Sequence, residues 1–511
     1  GASSSARVSQ GMVARLNQSV MDDYNRSDLD DVASLAQAVV QNIDLNAAIP
    51  GILAVDPDGN GDGNIDSTTY ECGTCWFGWD CWNETNQRTG YKVTKNGSFT
   101  YSSPVIDYIT AVDDGVSLSM GMDNLNLPLK VHGHLDTQCL GETGINIYGD
   151  VMANSVSIAG SIDISLSGTS PSVYICDSCL AVDISGLSID MDFGALDFID
   201  FLVNPIVNAI IGVFEGQIEA ELSAAVREQV GPLLQDFLAG FEVATAIEIP
   251  APINMTLNLS SALDMLSFKG PSGSGYGDLG LYTQVYPSSR GSGIPWNSRG
   301  SIRKNGSAPA FSASDYAFGV GLKDDLINQV LWGMWYGGGL DISDLSGLLS
   351  GGDFENVSLS FDALSPPVLM PGRDGHEIQI GLGDVWIDAA VDIEGFGNLN
   401  VSLYLSTIVG GFLDIDPTTN TLIVSLDNEP DIWVQVAAID EPAFQGPMSE
   451  LFTEVLRLVV PQLLSAAVGS IPLPEFDVGG LAGLPQSEVW GLNNGSLDRT
   501  GSYYRMTGTL Q

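Results

Sequence analysis

Two long stretches with helical spacing of apolar residues, each placed after a run of strand-like sequence, constrain this chain more than any other feature. They cover residues 197–241 and 448–468. Apolar side chains three and four positions apart form one apolar helix face, and here they are Ile206, Ile210, Val213 and Leu222, then Leu451, Val455, Leu458 and Leu463. Two such units predict a duplicated architecture in which a sheet wraps a long helix. That arrangement indicates an apolar groove more than a catalytic centre.

Four prolines mark these two stretches. Pro205 and Pro447 stand where each helical pattern begins, and proline suits the first turn because its missing N–H has no helical partner there. Pro232 and Pro461 fall inside the patterns. Since proline in a helix interior removes a backbone hydrogen bond, a kink or break is predicted at each.

Apolar and polar residues alternate over most of the remaining chain. This period of two predicts short antiparallel strands with one buried face, and it covers residues 99–191, 247–312 and 357–436. Helical spacing predicts a further helix over residues 7–45. It also predicts a short helix over 322–336, which the glycines at 337–339 would end. A last strand is predicted at Tyr503–Leu510, and the fold class is α+β.

The charge balance limits the possible partners. The chain has 63 acidic and 18 basic residues, a net charge of −45, and 44% of its residues are hydrophobic. A surface this acidic repels nucleic acid, and it repels an anionic membrane unless calcium bridges the two. No apolar run reaches the length of about 18 residues that a membrane-spanning helix needs.

The cysteines indicate an oxidising compartment. Six occur, all between Cys72 and Cys179, and an even number confined to one region predicts disulfides. Two CxxC pairs could instead supply four thiolates to zinc. The candidates are Cys72, Cys75, Cys81, Cys139, Cys176 and Cys179. We expect an extracellular or cell-surface protein whose signal peptide has been removed, with a lipid anchor left open.

An Asp/Asn/Gly-rich segment carries the strongest local motif. Oxygen-bearing side chains occupy alternate positions around glycines, as in an EF-hand-like loop, because Ca²⁺ takes six to eight oxygen ligands and glycine permits the sharp turn. The predicted calcium ligands are Asp56, Asp58, Asn60, Asp62, Asn64 and Asp66. Thr69 stands where a bidentate glutamate is usual, so Glu71 or Asp56 would complete the shell. The alternative is a flexible acidic turn.

Other local patterns permit two interpretations each. The aromatic segment 75–82 predicts a disulfide-tied mini-core or an exposed tip that binds a partner. His132, His134 and Asp136 alternate in a strand and could bind a metal or simply face solvent. The acid pair Asp324-Asp325 could act as acid and base, but it also suits a helix start. The chain has no Gly-x-Ser-x-Gly motif, and we expect no enzymatic activity.

Four C-terminal segments together resemble the bactericidal/permeability-increasing and lipopolysaccharide-binding protein family, of the tubular lipid-binding superfamily. They are the strand and helix from 315 to 340, Ser365-Pro366-Pro367-Val368, Ile471-Pro472-Leu473-Pro474, and the closing segment 501–510. The helix from Pro205 resembles the long helix of the family's first barrel. The chain departs from the family's basic tip, because it is acidic throughout.

The resemblance implies two tandem elongated barrels, each a strongly twisted antiparallel sheet wrapped around a long amphipathic helix. The predicted divisions are a helical segment at 1–48, an insertion at 49–100, a first barrel at 101–245 and a second at 246–511. It also implies a lipid cavity, although ordinary core packing would give the same pattern. The candidate lining residues are Ile206, Ile210, Val213, Leu326, Val330, Met334, Leu451 and Val455.

Three functions remain to be distinguished. The leading hypothesis is a non-enzymatic extracellular protein that binds or carries lipid or another apolar ligand in apolar tunnels. The alternative is a structural or adhesive surface protein, or filament subunit, that self-assembles with calcium. A hydrolase using paired acids is the third.

Overall fold

The structure is a computed structural model that describes residues 7–42, 44–55, 67–71, 84–88, 90–136, 142–176, 178–192, 200–270, 275–295, 298, 300, 308–309, 311, 316–345, 357–393, 397–416, 418–468, 470–473, 476–477 and 489–510. Antiparallel strands predominate in this part of the chain and helices are few, in agreement with the predicted α+β class.

The first half of the chain contributes β1 (Val8–Asn17), β2 (Ile52–Val55), β3 (Ser67–Glu71), β4 (Glu84–Arg88), β5 (Gly90–Lys95), β6 (Val105–Val112), β7 (Gly115–Asp136), β8 (Glu142–Ser167), β9 (Ser170–Tyr174), β10 (Leu180–Ser185), β11 (Ser188–Asp192) and β12 (Ala244–Ile249). The second half contributes β13 (Met255–Lys269), β14 (Tyr276–Pro287), β15 (Phe318–Lys323), β16 (Asp341–Ile342), β17 (Val357–Ala363), β18 (Val368–Pro371), β19 (Ile378–Ile393), β20 (Gly397–Asp416), β21 (Thr421–Leu426), β22 (Asp431–Ile439), β23 (Ser470–Pro472), β24 (Phe476–Asp477), β25 (Val489–Trp490), β26 (Leu492–Thr500) and β27 (Tyr503–Leu510).

The helices are α1 (Gln18–Met21), α2 (Val32–Val40), α3 (Leu45–Ala48), α4 (Asp200–Ala225), α5 (Gly231–Ala239), α6 (Asp324–Tyr336) and α7 (Gln445–Val468). A π-helical turn, Val226–Val230, joins α4 to α5, and a 3-10 turn, Pro442–Phe444, precedes α7. Among the described helices, none has both the length and the apolar character needed to cross a membrane.

A seven-stranded central sheet joins the two halves of the chain. Its order is β12-β13-β14-β1-β15-β27-β26. The first strand lies inside this sheet, where Ala14 pairs with Leu279 of β14 on one side and with Val320 of β15 on the other. The last strand, β27, pairs with β15. The two ends of the described chain therefore meet in one sheet.

The helix predicted over residues 7–45 is wrong for Val8–Asn17, which forms β1. The residues from Gly11 to Asn17 are all buried, because both faces of β1 are covered. A strand covered on both faces has no alternation, and its apolar residues happened to recur at helical spacing. The prediction is correct for Val32–Val40, which forms α2.

The first outer sheet is built on two very long strands. Strand β7 pairs with β8 along its whole length, from Gly115 opposite Asp163 to Asp136 opposite Glu142. The sheet order is β10-β8-β7-β5-β2, and β6, β9 and β11 attach to β7 and β8. The alternating residues predicted for β7 point inward as expected, and Val116, Leu118 and Met120 are buried.

The second outer sheet has the order β16-β17-β19-β20-β21-β23, and β18 and β22 attach to β19 and β20. Helix α7 packs on β21 and β22. The inner faces of β19 and β20 are apolar, and Val385, Ile387, Leu403 and Leu405 are buried. Each strand therefore contributes its apolar face to the interior and its polar face to solvent, as its alternation predicts.

The helix over 197–241 is interrupted near Pro232, as predicted. The π-helical turn ends at Val230 and Pro232 stands in the first turn of α5. Proline cannot donate the next helical hydrogen bond, and the chain accommodates this with the π-helical turn, at whose two ends Ala225 and Gly231 keep right-handed helical backbone. The predicted start at Pro205 is wrong, because α4 begins at Asp200. Residues 197–199 lie outside the described part.

Helix α7 runs unbroken through Pro461. Its buried face includes Phe452, Val455, Val459 and Leu463, whereas Leu458 is 53% exposed. The predicted face of Leu451, Val455, Leu458 and Leu463 is therefore wrong at Leu458. Spacings of three and four around Phe452 and Val459 place the apolar stripe about one residue further round the helix.

Candidate functional site

Helix α6 is the most deeply buried helix segment in the interior. Every residue from Asp325 to Tyr336 is buried, because the helix packs on β1, β14 and β18 and against α7. Leu326, Val330 and Met334, which were predicted to share a face, are at most 1% exposed. A helix that is covered all round has no solvent face, so its polar residues need partners inside the protein.

Those partners fix α6 to its surroundings. Its preceding residue, Lys323, lies 3.6 Å from the carboxylate of Asp325. Asn328 accepts a hydrogen bond of 2.8 Å from the backbone N–H of Leu369 in β18. The indole of Trp335 donates to the carbonyl oxygen of Ala363 at 2.6 Å. The helix is therefore held between the central sheet and the second outer sheet.

The acid pair at the start of α6 makes contacts that stabilise the fold. Asp324 forms an ion pair of 2.6 Å with Arg499 of β26. Burial raises the pKa of Asp324, and the charge of Arg499 opposes that rise. Both acids lie in the first turn, where the helix dipole favours negative charge. The helix-start interpretation of Asp324-Asp325 accounts for these contacts.

A pocket of about 160 Å³ opens at the carboxyl end of α6. Its lining is Ser292, Gly293, Ile294, Pro295, Trp335, Gly338, Leu340, Asp341, Asp362, Ala363 and Leu364. Trp335, Leu340 and Ala363 belong both to this lining and to the apolar core. The pocket is thus a solvent-accessible recess whose inner wall is the core itself.

Glycines shape the mouth of this pocket. Helix α6 ends at Tyr336, and Gly338 has a φ of 82°, so the glycine run ends the helix as predicted. A Cβ atom on Gly338 would lie 2.9 Å from the Cα of Gly291. Only glycine permits both the left-handed backbone and this close approach of the two loops.

Two carboxylates stand on the rim. Asp341 pairs directly with Asp362 across β16 and β17. Burial raises the pKa of Asp362, and the neighbouring Asp341 charge raises it further. An anionic group at the pocket mouth would meet the same repulsion.

The remaining lipid-cavity candidates lie in or beside the core. Ile210 and Val455 are buried, and Val213 and Leu451 are half-buried against the core cluster. The side chain of Ile206 lies outside the described residues. The almost complete burial of Ile210, Val455 and the three α6 candidates shows a closed interior around them. Their role as cavity lining stays a prediction.

The predicted calcium loop at 56–66 lies outside the described residues, as do Cys72, Cys75, Cys81 and Cys139. Cys176 and Cys179 form a disulfide, so the disulfide interpretation is confirmed for this pair. His132 lies within hydrogen-bond distance of Asn146, with Nδ1 2.9 Å from Oδ1. The side chains of His134 and Asp136 are not described.

Sequence reasoning missed an acidic cluster between α1 and α2. The carboxylates of Asp22, Asp23 and Asp31 approach closely enough to share a cation, as do those of Asp23, Asp28 and Asp30. In the structure, Arg26 binds Asp22 through both terminal nitrogens, at 2.8 and 2.9 Å. Asp31 caps α2 by accepting from the N–H of Ser34. These contacts give the two buried acids, Asp22 and Asp31, a structural role.

No protein-family model and no curated protein matches the chain. Among solved structures, the chain is similar to a lipopolysaccharide binding protein, with 12% identity and a TM-score of 0.42 over 98% of this chain and 99% of that chain. It is also similar to P47 from Clostridium botulinum A2, with 10% identity and a TM-score of 0.29 over 98% and 96%. Both similarities extend over the full length and concern overall fold alone.

Proposed function

We propose that this chain binds a lipid or another apolar ligand in its interior and does not convert it chemically. The observation that carries the proposal is the pocket at the end of α6, whose inner wall is formed by the core residues Trp335, Leu340 and Ala363. The recess combines this apolar inner wall with polar residues such as Ser292, Asp341 and Asp362, and small-molecule sites likewise combine an apolar wall with a few polar groups.

The extent of the apolar interior supports this proposal. One cluster of buried apolar residues runs from Met12 to Met506 and takes in both outer sheets and the central sheet. Single hydrophobic cores usually stop growing in chains beyond about 250–300 residues. A continuous apolar interior in a chain of 511 residues would let an acyl chain that enters at the pocket pack on apolar side chains.

The pocket is smaller than the roughly 300–1,000 Å³ typical of ligand sites. We therefore propose that the ligand enters by parting the side chains behind the recess, along α6. Asp341 and Asp362 on the rim disfavour an anionic head group, so the proposed ligand is a neutral amphiphile. Lipopolysaccharide, which is anionic, does not suit this rim.

We propose that each outer sheet curls with its helices into an elongated barrel. The first barrel would comprise residues 101–245, with 1–48 beside it and 49–100 inserted, and the second 246–511. The central sheet, with strands from both parts, would join them. The disulfide between Cys176 and Cys179 supports the proposed extracellular or surface location, because disulfides persist in oxidising compartments.

Extraction followed by lipid mass spectrometry tests the function directly. We expect a neutral lipid at about one or two molecules per chain in protein purified without detergent. A fluorescent diacylglycerol analogue should also transfer from neutral vesicles to the stripped protein. An extract without stoichiometric lipid, together with no transfer of the analogue, would exclude the proposal.

A matched pair of variants locates the site. Leu364 lines the pocket and is 50% exposed, whereas Leu458 on α7 is 53% exposed and is not among the pocket residues. Leu364→Asp should weaken uptake of the analogue by about tenfold or more, because it places a charge beside the acyl path. Leu458→Asp should leave uptake unchanged. If the two substitutions weaken uptake of the analogue equally, the pocket is not the binding site.

We also propose that residues 56–66 bind calcium as a structural ion. Support comes from the spacing of oxygen ligands alone. Titration calorimetry with Ca²⁺ should detect one site that Asp58→Ala with Asp62→Ala abolishes. Sedimentation with and without a chelator distinguishes the alternative function, since a calcium-assembled surface protein would dissociate when calcium is removed. If the double variant still binds Ca²⁺ as the parent does, the loop is not the site.

A further inference from the structure

Three aromatic side chains, of which Tyr404 and Trp433 are exposed and Trp386 is half-buried, form a stripe on the solvent face of the second outer sheet. Trp386 of β19 pairs directly with Tyr404 of β20, and their ring centres lie 4.9 Å apart at 76°. Trp433 of β22 pairs with Ser406, two residues along from Tyr404 on the same face, a diagonal spacing that large side chains can bridge. Tyr404 is 40% and Trp433 56% exposed. Neighbouring aromatic residues on a solvent face form a contiguous apolar patch, and large patches of this kind mark binding surfaces.

The strand register places small polar side chains beside this stripe. Residues directly opposite each other share a face, and the row next to the aromatic pair is Ser360, Asp388, Ser402 and Ala438. The following row is Ser358, Ala390 and Asn400. Because these side chains are short, the face is recessed beside the larger aromatic rings. This recess is a shallow groove of about 630 Å³.

The groove offers hydrogen-bonding groups of both kinds. The hydroxyl of Ser402 donates to Asp388 at 2.5 Å, and that of Ser360 donates to the Asp388 carbonyl at 3.3 Å. Asn400 donates its amide hydrogen to Asp440 at 2.9 Å. The Asp388 carboxylate can accept further hydrogen bonds. A ligand rich in hydroxyl groups could therefore satisfy its donors here without displacing a buried partner.

Charge narrows the class of ligand. Among the described residues that line the groove none is basic, and Asp344 and Asp388 are acidic. From residue 341 to residue 440 the sequence has a single lysine or arginine, Arg373, and one histidine, His376. Anionic ligands such as nucleic acid, sulfated glycans or acidic lipid head groups would be repelled.

We propose that this face, with Trp386, Tyr404 and Trp433 as a platform and Asp388, Ser402 and Asn400 beside it, binds a neutral glycan. A pyranose ring has an apolar C–H face whose hydrogens are attracted to the negative face of an aromatic ring. Its edge carries hydroxyls that need donors and acceptors. The aromatic stripe supplies rings for the C–H face of the sugar. The groove beside it supplies donors and acceptors for the hydroxyls, and both lie on strands of one sheet.

The groove and the proposed lipid pocket share no lining residue, and they adjoin where Trp386 pairs with Asp362 of the pocket rim. None of the three platform aromatics lines the pocket at the end of α6, and neither Trp335 nor Leu364 lines the groove. The two proposals can therefore fail independently. A glycan site on the outside would attach the protein to a polysaccharide surface while its interior holds a ligand.

Affinity electrophoresis tests the proposal with defined probes. The full chain should be made in a host that attaches no N-glycans, because Asn400 and Ser402 form an N-glycosylation sequon. The gels would contain a soluble β-glucan, a galactomannan, glycogen or, as the anionic comparison, dextran sulfate. We expect retardation by at least one neutral probe and none by dextran sulfate. Retardation by none of the neutral probes, or by dextran sulfate alone, would overturn the proposal.

Variants connect any retardation to this face. Trp433→Ala should weaken binding about tenfold or more, as loss of an aromatic anchor commonly does, and Asp388→Asn should weaken it less. Tyr148→Ala is the matched control, since Tyr148 is 51% exposed on the other outer sheet. Thermal unfolding and diacylglycerol uptake should be unchanged in Trp433→Ala. If Trp433→Ala abolishes self-association and has no effect on glycan binding, the face is an interface between copies and the glycan proposal is wrong.

Discussion

The hydroxyl of Tyr503 in the last strand donates a hydrogen bond of 2.9 Å to the carbonyl oxygen of Gln10 in the first strand. Gln10 has a φ of 50° and lies where the register of β1 against β14 shifts. A bulge of this kind turns a backbone group out of the ladder, and Tyr503 satisfies it. Burial raises the pKa of Tyr503 to about 12, so the hydroxyl stays a donor throughout the working pH range.

We expect Tyr503→Phe to destabilise the protein by about 1–2 kcal/mol, because it leaves the part-buried carbonyl oxygen of Gln10 without this hydrogen bond. Urea unfolding followed by tryptophan fluorescence measures the change. Tyr174→Phe is the control, since Tyr174 is 62% exposed, and it should change the free energy of unfolding by less than about 0.5 kcal/mol. Similar losses in both variants would show that the bridge to Gln10 contributes nothing.

The buried pair of Lys323 and Asp325 gives a larger predicted effect. Their side chains are 1% and 4% exposed. Asp325→Asn should cost about 3–5 kcal/mol, because it removes the nearest countercharge of a buried ammonium. The double variant Lys323→Met with Asp325→Leu should lose much less. The surface pair of Arg505 and Asp498 is the comparison, and Asp498→Asn should cost about 1 kcal/mol or less. A loss below 1 kcal/mol for Asp325→Asn would contradict this account.

Asp31 should make stability depend on pH. Burial raises its pKa to about 6, with a smaller contribution from the Asp22 charge, although three hydrogen bonds oppose the rise. An unfolded aspartate titrates near pH 4. Between about pH 4 and 6 the folded state therefore holds more protons than the unfolded state, and this group's contribution to stability falls as pH rises.

Thermal unfolding of Asp31→Asn from pH 4 to 7 tests this prediction. The melting temperature of the parent, relative to the variant, should fall across that range. Ser34→Ala removes the reciprocal part of the cap and with it one of the hydrogen bonds that lower the pKa of Asp31, so the stability lost in this variant should be larger at pH 7 than at pH 4. A constant difference between the parent and Asp31→Asn would show that Asp31 does not hold a proton in this range.

His376 should titrate above its ordinary range. Its Nε2 lies 2.8 Å from Asp427, and this hydrogen bond is the main reason that the pKa of His376 is raised. The stabilisation is present below the unfolded histidine pKa and is lost as pH rises through the folded value. NMR titration should show the His376 pKa falling in Asp427→Asn. Asp374→Asn should lower it less, because Asp374 acts only through its charge. If both variants lower the His376 pKa equally, the hydrogen bond to Asp427 is not the main cause of the raised pKa.

Much of the fold could be predicted because local patterns match local structure. Val116, Leu118 and Met120 alternate and point inward, and Gly338 ends α6. Strand β1 could not be predicted, because a strand covered on both faces loses the alternation that identifies it. The strands that pair with β1 and the helix α6 that packs on it are more than 250 residues away along the chain.

The pocket and the aromatic face differ in how far each could be predicted from the sequence. Trp386 stands between Val385 and Ile387, and Tyr404 between Leu403 and Leu405. An aromatic residue at a position where the alternation places a polar residue indicates a ring on the solvent face. The sequence alone therefore contained this signal. The recess beside Trp335 had no such signal, because its wall combines a helix end with loops from distant parts of the chain.

The sequence by itself determined the α+β class, most element types and the acidic surface, since helical spacing, alternation and charge are local properties. Tertiary structure alone decided that the first strand lies between β14 and β15, that α6 is covered on all sides, and that Trp386, Tyr404 and Trp433 share one face. These features depend on which distant segments become neighbours. Strand register and packing set that choice, and neither is contained in any single stretch of the chain.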